Sequence, residues 1–567
     1  MDQIEAGRIL QVAGSPFELG KDIVNGREVT CFKTRERSMR EKVAASAVHG
    51  AKEFLVYENQ RITFAEFVEL AWGASHALLE EFGLQSKDRV GILAYNRPEW
   101  LIALFGAASA GGICVGLNGW WTSDEILYGL TDSGCRYLIV DDLSWTRVEP
   151  LIKSAPNLET IFYIGDNPPE GTLSISRLLK RRSDPPTVPI EEDDPFVILY
   201  TSGTTGRSKG CITTHRGTIA QVQGILYNYF VALLIKSAQD GSSPTLPENP
   251  SALLTSPLFH VAGLHSTVCM SLSTGSKLVF GPPKFDVVRT LEILDKERIT
   301  SWMAIPTLLQ RLVDYPEIDK YDLSALMLVS TGGAPTAPGT AAKANEVLKT
   351  KPTLATSYGL TETHGMATSI GGDDYMGRKN SVGRPFPGVE VRIVDDHGHD
   401  VKTGKPGQIV LGGPTITPGY WQRPEDTART IVNGWLQTGD IGYLDEENFL
   451  FISDRAKDMV IRGGENVYCV EIENLLAEHP EIEEAAVIGV PDRDLGERVK
   501  AVVVRVPGSA LTAAEVKSHV AAKLAKFKVP EEVEFSSDPL PRNPAGKILK
   551  NILRKSGSVS FPPDSHL

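Results

Sequence analysis

Tyr200-Thr-Ser-Gly-Thr-Thr-Gly-Arg-Ser-Lys209-Gly210 is the stretch around which the rest of the chain is organised. Four strand-forming residues, Val197 to Tyr200, lead into a run of hydroxyls and glycines that ends in a lysine. Glycines let backbone N–H groups approach a ligand closely where a Cβ would obstruct. Hydroxyls add donors and the lysine adds a point charge, a combination that suits a phosphate. Lys209 stands three positions after Gly206, so the stretch does not have the Gly-x-x-x-x-Gly-Lys-Ser/Thr spacing of a Walker A loop. By composition alone a polar, glycine-rich surface turn fits equally well. The decision rests on what else converges on it.

Upstream, Ile62 to Ala71 opens a helical pattern with Thr63 as N-cap and Glu66 three residues on. Val90 to Ala94 reads as a short buried strand, and Pro98 starts a further helix. Leu101 to Leu117 is uncharged, but it carries Gly106, Gly111, Gly112 and Gly116 and is shorter than the ~20 residues a membrane span needs. A buried helix ending at Gly111-Gly112, followed by the strand Ile113 to Val115, accounts for it. Tyr137 to Val140, a helix, and Thr160 to Tyr163 repeat the alternation. Strands alternating with helices predict an α/β fold with parallel sheets covered by helices on both faces.

Residues 165–195 and 237–250, rich in Pro, Gly and Ser, read as loops or linkers. The α/β texture resumes between Leu253 and Phe280 and runs on through Ile299 to Leu312 and Ala325 to Ser330. After Pro387 it changes to short alternating segments, Val389 to Val394 and Gly407 to Leu411, expected to be antiparallel or barrel strands. Beyond Asp454 comes an amphipathic helix over 467–479, strands over 485–490 and 499–506, a helix over 513–524 and a strand over 532–535. That is a compact α+β unit of roughly 110 residues, a size at which domains stand alone. The expected division is an N-terminal domain over 1–453, a hinge over 454–457, a mobile C-terminal domain over 458–555 and an exposed tail over 556–567.

Composition narrows the function classes. With 567 residues, several domains or subdomains are expected. A formal net charge of −13 argues against non-specific nucleic-acid binding, which needs a basic footprint. The six cysteines are scattered without Cys-x-x-Cys or His/Cys ligand spacing, which reads as reduced thiols in an intracellular protein. No hydrophobic stretch typical of a signal peptide is visible in Met1 to Glu18. The last residues, Ser565-His566-Leu567, resemble a variant of the Ser-Lys-Leu peroxisomal tripeptide, which makes a peroxisomal import receptor a possible partner and a cytoplasmic location the alternative.

Further stretches carry more polar or glycine character than a core requires: Thr331-Gly-Gly-Ala-Pro335, Thr356-Ser-Tyr-Gly-Leu-Thr-Glu362, Gly434-Trp-Leu-Gln-Thr-Gly-Asp440, Ser453 to Asp458 with Arg462 to Tyr468, and Asn543-Pro-Ala-Gly-Lys547. Each alone is explained by turns, caps and solvated charges. In this order, together with Tyr200–Gly210, they resemble the successive core motifs of the adenylate-forming superfamily, which includes acyl-CoA synthetases, aryl-CoA ligases, firefly luciferases and peptide-synthetase adenylation domains. The resemblance covers roughly residues 45–553 and is closest to the acyl-CoA synthetases. It implies a large N-terminal domain of two α/β subdomains plus a β-barrel and a small mobile C-terminal domain. It also implies a two-step reaction: a carboxylate attacks the α-phosphate of ATP, and a thiol then displaces AMP.

The same resemblance implies roles residue by residue. Thr201, Ser202, Gly203, Thr204, Thr205, Gly206 and Lys209 match the loop that holds the β- and γ-phosphates; Ser208 departs from the more common proline. Gly333, Ala334 and Pro335 match a nucleotide-contacting turn. Tyr358 and Gly359 match the adenine platform, Thr361 the α-phosphate contact, and Glu362 with Thr204 the Mg²⁺ ligands. Asp440 and Arg455 match the ribose-binding pair. Lys547 matches the lysine that neutralises charge in the first half-reaction, and Lys457 falls at the hinge. His260 matches an aromatic or histidine position near the carboxylate entrance, with a satisfied core histidine as the alternative. Gly464 matches the glycine beside the pantetheine tunnel for CoA.

The expectation is therefore an ATP-, Mg²⁺- and CoA-dependent acyl-CoA synthetase acting on a medium- or long-chain fatty acid or a similar apolar carboxylate. An aryl-acid or specialised-metabolite CoA ligase is the first rival. A stand-alone adenylation enzyme loading a carrier protein is the second, although no Leu-Gly-Gly-x-Ser carrier motif follows Lys547. A luciferase-like oxidase or a non-catalytic binder is disfavoured because the expected ATP-site residues are all present.

Overall fold

The computed structural model describes residues 1–201, 207–333, 338–378, 380–462, 465–493, 495–542 and 547–556. A seven-stranded sheet runs, edge to edge, through Lys209–Thr214, Pro195–Thr201, Ile113–Gly116, Arg89–Leu93, Tyr137–Asp141, Thr160–Ile164 and Leu173–Ser174. All neighbours are parallel except the first two, which pair antiparallel as a hairpin. The helices Phe64–His76 and Pro98–Ser109 pack together on this layer. A Cβ at Gly106 would lie 2.5 Å from that of Ala74, so glycine sets the helix separation. Thr63 and Glu66 form the expected capping box. The helix over Pro98–Ser109 is buried along nearly its whole length, the arrangement expected for a core helix.

The second sheet is parallel at its centre, through Lys277–Phe280, Ser251–Leu254, Ser301–Ala304, Leu328–Thr331 and Thr353–Leu360. At Thr353–Leu360 the direction reverses: Gly365–Gly371 and Ser381–Pro385 follow antiparallel. The ladder then continues into Leu450–Arg455, Trp435–Leu444, Gly407–Gly412 and Glu390–Val394, so the barrel-like strands are a hydrogen-bonded extension of this sheet. A hairpin of Leu19–Val24 and Arg27–Phe32 sits beside them, with the Arg27 guanidinium 4.0 Å above the Trp435 ring. The third sheet belongs to the C-terminal unit, with Ile482–Asp492, Gly496–Arg505 and Glu532–Ser536 around the helices Cys469–Ala477 and Ala513–Ala521. The chain is α/β, with a large N-terminal part and a smaller C-terminal one.

Several boundaries differ from expectation. Residues 237–240 are not linker: one helix runs from His215 to Asp240, capped by Gly241 in the left-handed region. This helix is long and apolar enough to cross a membrane by length and composition. Its first ten residues are buried, with Gln221 and Gln223 hydrogen-bonded inside the protein, which suits a core helix. Leu450–Arg455 carries strand geometry across the expected 453/454 boundary, because Asp454 and Arg455 remain paired to Ile441 and Asp440. Val467 ends a short strand instead of starting a helix, and the helix over 513 stops at Ala521. The six cysteines are buried free thiols.

Candidate active site

Thr201 and Lys209 are cross-strand partners at the end of the hairpin, and the Thr201 hydroxyl donates to the Lys209 carbonyl at 3.4 Å. The hairpin register therefore fixes both flanks of the glycine-rich stretch. Ser202, Gly203, Thr204, Thr205 and Gly206 lie outside the described residues. On the Lys209 flank, the Ser208 carbonyl accepts the Tyr128 hydroxyl at 2.8 Å. The Lys209 ammonium pairs with Asp426 at 2.7 Å and stands 5.3 Å from the Tyr420 ring centroid.

Tyr358, Gly359, Thr361 and Glu362 occupy the point where Thr353–Leu360 gives way to a tight turn and Gly365–Gly371. The strands close so tightly that a Cβ on Gly359 would lie 1.8 Å from the Gly365 carbonyl, so only glycine fits there. His364 completes the turn in the left-handed region, with φ 57°. Its Nε2 accepts the Thr214 N–H at 2.7 Å and its Nδ1 faces the Thr415 carbonyl at 2.7 Å, which places the proton on Nδ1. Burial holds this imidazole neutral, with a pKa pushed down to about 3. The turn is thus pinned from both sides. Glu362 points to the Tyr420 hydroxyl, which donates to it at 2.6 Å. Gly333 has φ 79° just after Leu328–Thr331, while Ala334 and Pro335 lie outside the described residues.

Asp440 and Arg455 are directly opposite across the pair Trp435–Leu444 and Leu450–Arg455, with Arg455 Nε 3.3 Å from Asp440 Oδ1. Tyr358 donates its hydroxyl to Asp440 Oδ2 at 2.6 Å. Burial first, and the Asp440 charge second, push the Tyr358 phenol well above its ordinary pKa, so it remains a donor. The expected adenine platform and the expected ribose carboxylate are therefore one hydrogen-bonded unit.

Lys547 enters this cluster from the C-terminal unit. Burial pushes its pKa down to about 7, Arg455 and Lys457 reinforce the shift, and Asp440 and Asp458 oppose it. A lysine 107 positions from Asp440 in sequence thus shares its electrostatic surroundings. Lys457 is itself lowered, by desolvation and by Arg455. Beside it Asp454 is buried, accepts the N–H groups of Arg455 and Cys469, and is raised to about 6 by burial. This carboxylate ties the last barrel strand to the first helix of the C-terminal unit. Gly464 lies outside the described residues.

His260 is also desolvated, to a pKa of about 4, and its Nδ1 accepts the Ala262 N–H at 3.3 Å. It is therefore neutral, with its proton on Nε2 and free to act as a donor. Among the described residues no group of three or more His, Cys, Asp or Glu side chains gathers to hold a metal.

The motifs did not disclose the supporting groups. Tyr420 on Glu362, Asp426 on Lys209, and the Tyr200–Asp132–Arg423 chain come together only through the hairpin and the helix Pro424–Thr430. The polar-aromatic run Gly419-Tyr-Trp-Gln-Arg-Pro-Glu-Asp426 was the available signal.

Beyond this geometry, the AMP-binding enzyme family matches residues 42–421 and the AMP-binding enzyme C-terminal domain matches 471–547. The chain is 34% identical over 506 residues to an indoleacetate–CoA ligase of Aromatoleum aromaticum, covering 89% of this chain and 95% of that one. It is 33% identical over 516 residues to the long-chain-fatty-acid–CoA ligase FadD13 of Mycobacterium tuberculosis, covering 88% and 94%. Its structure superposes on that of the anthranilate CoA ligase AuaEII in complex with anthranoyl-AMP with a TM-score of 0.83 at 26% identity, covering 92% of this chain and 98% of that one. The chain belongs to the AMP-binding enzyme family, the adenylate-forming superfamily near its acyl-CoA synthetases, and is an AMP-forming acid–thiol ligase using ATP and CoA.

Proposed function

We propose that the acid is elongated and mainly apolar, a medium- or long-chain fatty acid or a carboxylate of similar shape. The observation that carries this is a continuous groove of about 2770 Å³. It is lined by Thr356, Ser357 and Met366, beside the Tyr358–Glu362 turn, and by the helix His215–Asp240 from Gln223 onward. Pockets for compact ligands run to roughly 300–1,000 Å³, so this volume suits a longer occupant.

The chemistry divides into two balanced steps. The acid carboxylate attacks the α-phosphorus of ATP, forming acyl-AMP and expelling pyrophosphate. The CoA thiol then attacks the acyl carbon, forming the thioester and releasing AMP and a proton. In the first step Asp440 accepts the ribose hydroxyls, and Tyr358 holds that carboxylate while its ring covers the adenine. The Lys547 ammonium meets the negative charge that develops at the α-phosphate. A triphosphate beside Lys547 favours its charged form. Lys209 and the glycine-rich stretch receive the departing pyrophosphate end.

A divalent cation fits the donor set in a limited way. Glu362 supplies one carboxylate, one of whose oxygens is already on Tyr420. Mg²⁺ is commonly held by one or two carboxylates plus substrate phosphates, so Glu362, with Thr204, remains our assignment. Bound there, the ion would neutralise phosphate charge. The second step requires the C-terminal unit to turn about Lys457, with the thiol entering beside Gly464.

An oxygen-bearing aryl acid is a second reading, favoured by hydroxyls on the groove wall. Ser330 and Ser357 line it, as does Ser369, which accepts Asn228 Nδ2 at 3.2 Å. Acid-dependent AMP release with CoA across fatty, dicarboxylic and aromatic acids separates the two. Highest kcat/KM for octanoate or palmitate supports the first reading, and highest kcat/KM for hydroxylated cinnamates replaces it. The peroxisomal address in Ser565-His566-Leu567 belongs to the same proposal; a fluorescent fusion that stays cytoplasmic with the tripeptide intact would refute it.

A further inference from the structure

The helix His215–Asp240 acts as a ruler laid from the His364 turn, where its first residues are buried in the core, to the groove that it lines between Gln223 and Asp240. Successive contacts along it are close enough that each can be placed. A Cβ at Gly217 would lie 2.3 Å from the His364 ring, two residues beyond Glu362, and one at Gly365 would lie 3.0 Å from the Gln221 amide. A Cβ at Gly224 would lie 2.7 Å from Phe386, and one at Gly7 would lie 2.4 Å from the Tyr227 hydroxyl. Ten residues separate Gly217 from Tyr227, which at 1.5 Å per residue is about 15 Å of helix. The helix Gln3–Leu10 therefore meets the ruler about 15 Å from the catalytic turn.

This N-terminal helix is fixed in place. Asp2 caps it by accepting the Glu5 N–H at 2.8 Å. Gln3 donates to Asp374 at 3.3 Å and accepts from Arg384 at 2.8 Å, bridging to the far side of the groove. Phe17, just beyond it, makes an edge contact with Tyr227, ring centroids 5.7 Å apart. Gly7, Leu10 and Tyr227 line the same groove as Thr356, Ser357 and Met366. The helix also lies ahead of residue 42, where the family match begins.

We propose that the helix Gln3–Leu10, seated through Gly7 on Tyr227, is a side wall of the acid site and a specificity element for long acids. An acid whose skeleton reaches about 15 Å from its carboxylate touches this wall, whereas a short acid ends before it. Gly7 permits the close seating, and a larger residue there displaces the wall outward. The inference rests on the acid-activating reading above.

The test measures acid-dependent AMP release with CoA for hexanoate and palmitate in the full chain, in Gly7→Leu and in Gln3→Ala. Gly7→Leu is expected to raise KM for palmitate about tenfold relative to hexanoate, the loss of one or two buried methylene contacts. Gln3→Ala removes the two bridging hydrogen bonds and that side chain's share of the groove lining, and is expected to shift the same ratio about threefold. It keeps the test decisive if Gly7→Leu fails to fold. A palmitate-to-hexanoate KM ratio equal to that of the unmodified chain, with only the Tm lowered, would reduce the helix to a brace and overturn the proposal. An unmodified chain that activates no acid at all would instead overturn the functional reading, and this inference with it.

Discussion

Tyr358 donates its hydroxyl to Asp440 at 2.6 Å, joining the strand that ends at the Thr361–Thr363 turn to the strand that carries Asp440, the carboxylate proposed to bind ribose. The bond orients Asp440 against Arg455 and leaves lone pairs for the two hydroxyls of the proposed ribose contact. Tyr358→Phe keeps the ring and loses the orienting donor. A hydrogen bond to a charged group contributes ~1.5–3 kcal/mol, so KM for ATP should rise by roughly tenfold with kcat nearly unchanged. Steady-state kinetics at saturating acid and CoA check this. An unaltered KM would mean that Asp440 is oriented by other groups.

Lys209 and Asp426 form an ion pair at 2.7 Å, in which the lysine is about one-third exposed. In the proposed role of Lys209, that pair must open before the lysine gives its charge to a phosphate. Pairs of this exposure contribute ~0–1 kcal/mol, so Asp426→Asn should lower KM for ATP by about two- to fivefold. Lys209→Ala should raise it. Titration with a non-hydrolysable ATP analogue distinguishes this from an effect on chemistry.

Lys547 titrates near 7 because it is buried and faces Arg455. As the charged form is the one proposed to meet the α-phosphate, kcat/KM for ATP in the first half-reaction should fall as pH rises through about 7. Lys547→Arg stays charged throughout and should flatten that fall. Stability moves the other way. Between about 7 and the ordinary value of 10.5, the unfolded chain binds a proton that the folded chain lacks, so this lysine's contribution to unfolding free energy rises with pH across that window. Below about 7 its penalty is fully present. Urea denaturation of the unmodified chain and Lys547→Met at pH 6.5 and 9 should give a difference that shrinks as pH rises.

Local chemistry explains what could be read in advance. The Thr63–Glu66 capping box, the Gly-Gly end of the buried helix at 111–112, and the antiparallel strands after Pro387 are short-range signals, and the chain folds accordingly, although the reversal from parallel to antiparallel comes earlier, between Thr353–Leu360 and Gly365–Gly371. The pairing of Asp440 with Arg455 is a matter of strand register, visible only once residues 435–444 and 450–455 are laid side by side. Tyr420 on Glu362 and Asp426 on Lys209 bridge 58 and 217 positions, and no periodicity encodes them. The end of the helix at Asp240 was also hidden. Ser237 to Gly241 has the composition of a loop, yet burial of Ser237 and the left-handed Gly241 cap extend the helix by a turn.

In the proposed mechanism a lysine from the C-terminal unit completes the ATP site of the N-terminal part for the first half-reaction only. Acid-dependent exchange of labelled pyrophosphate into ATP by Lys547→Ala tests it most directly, paired with thioester formation from supplied acyl-adenylate and CoA. Removing a charge aimed at the transition state should slow exchange by about 10²–10³-fold while thioester formation stays within about twofold. Exchange at the rate of the unmodified chain, or equal loss of both half-reactions, would contradict the account.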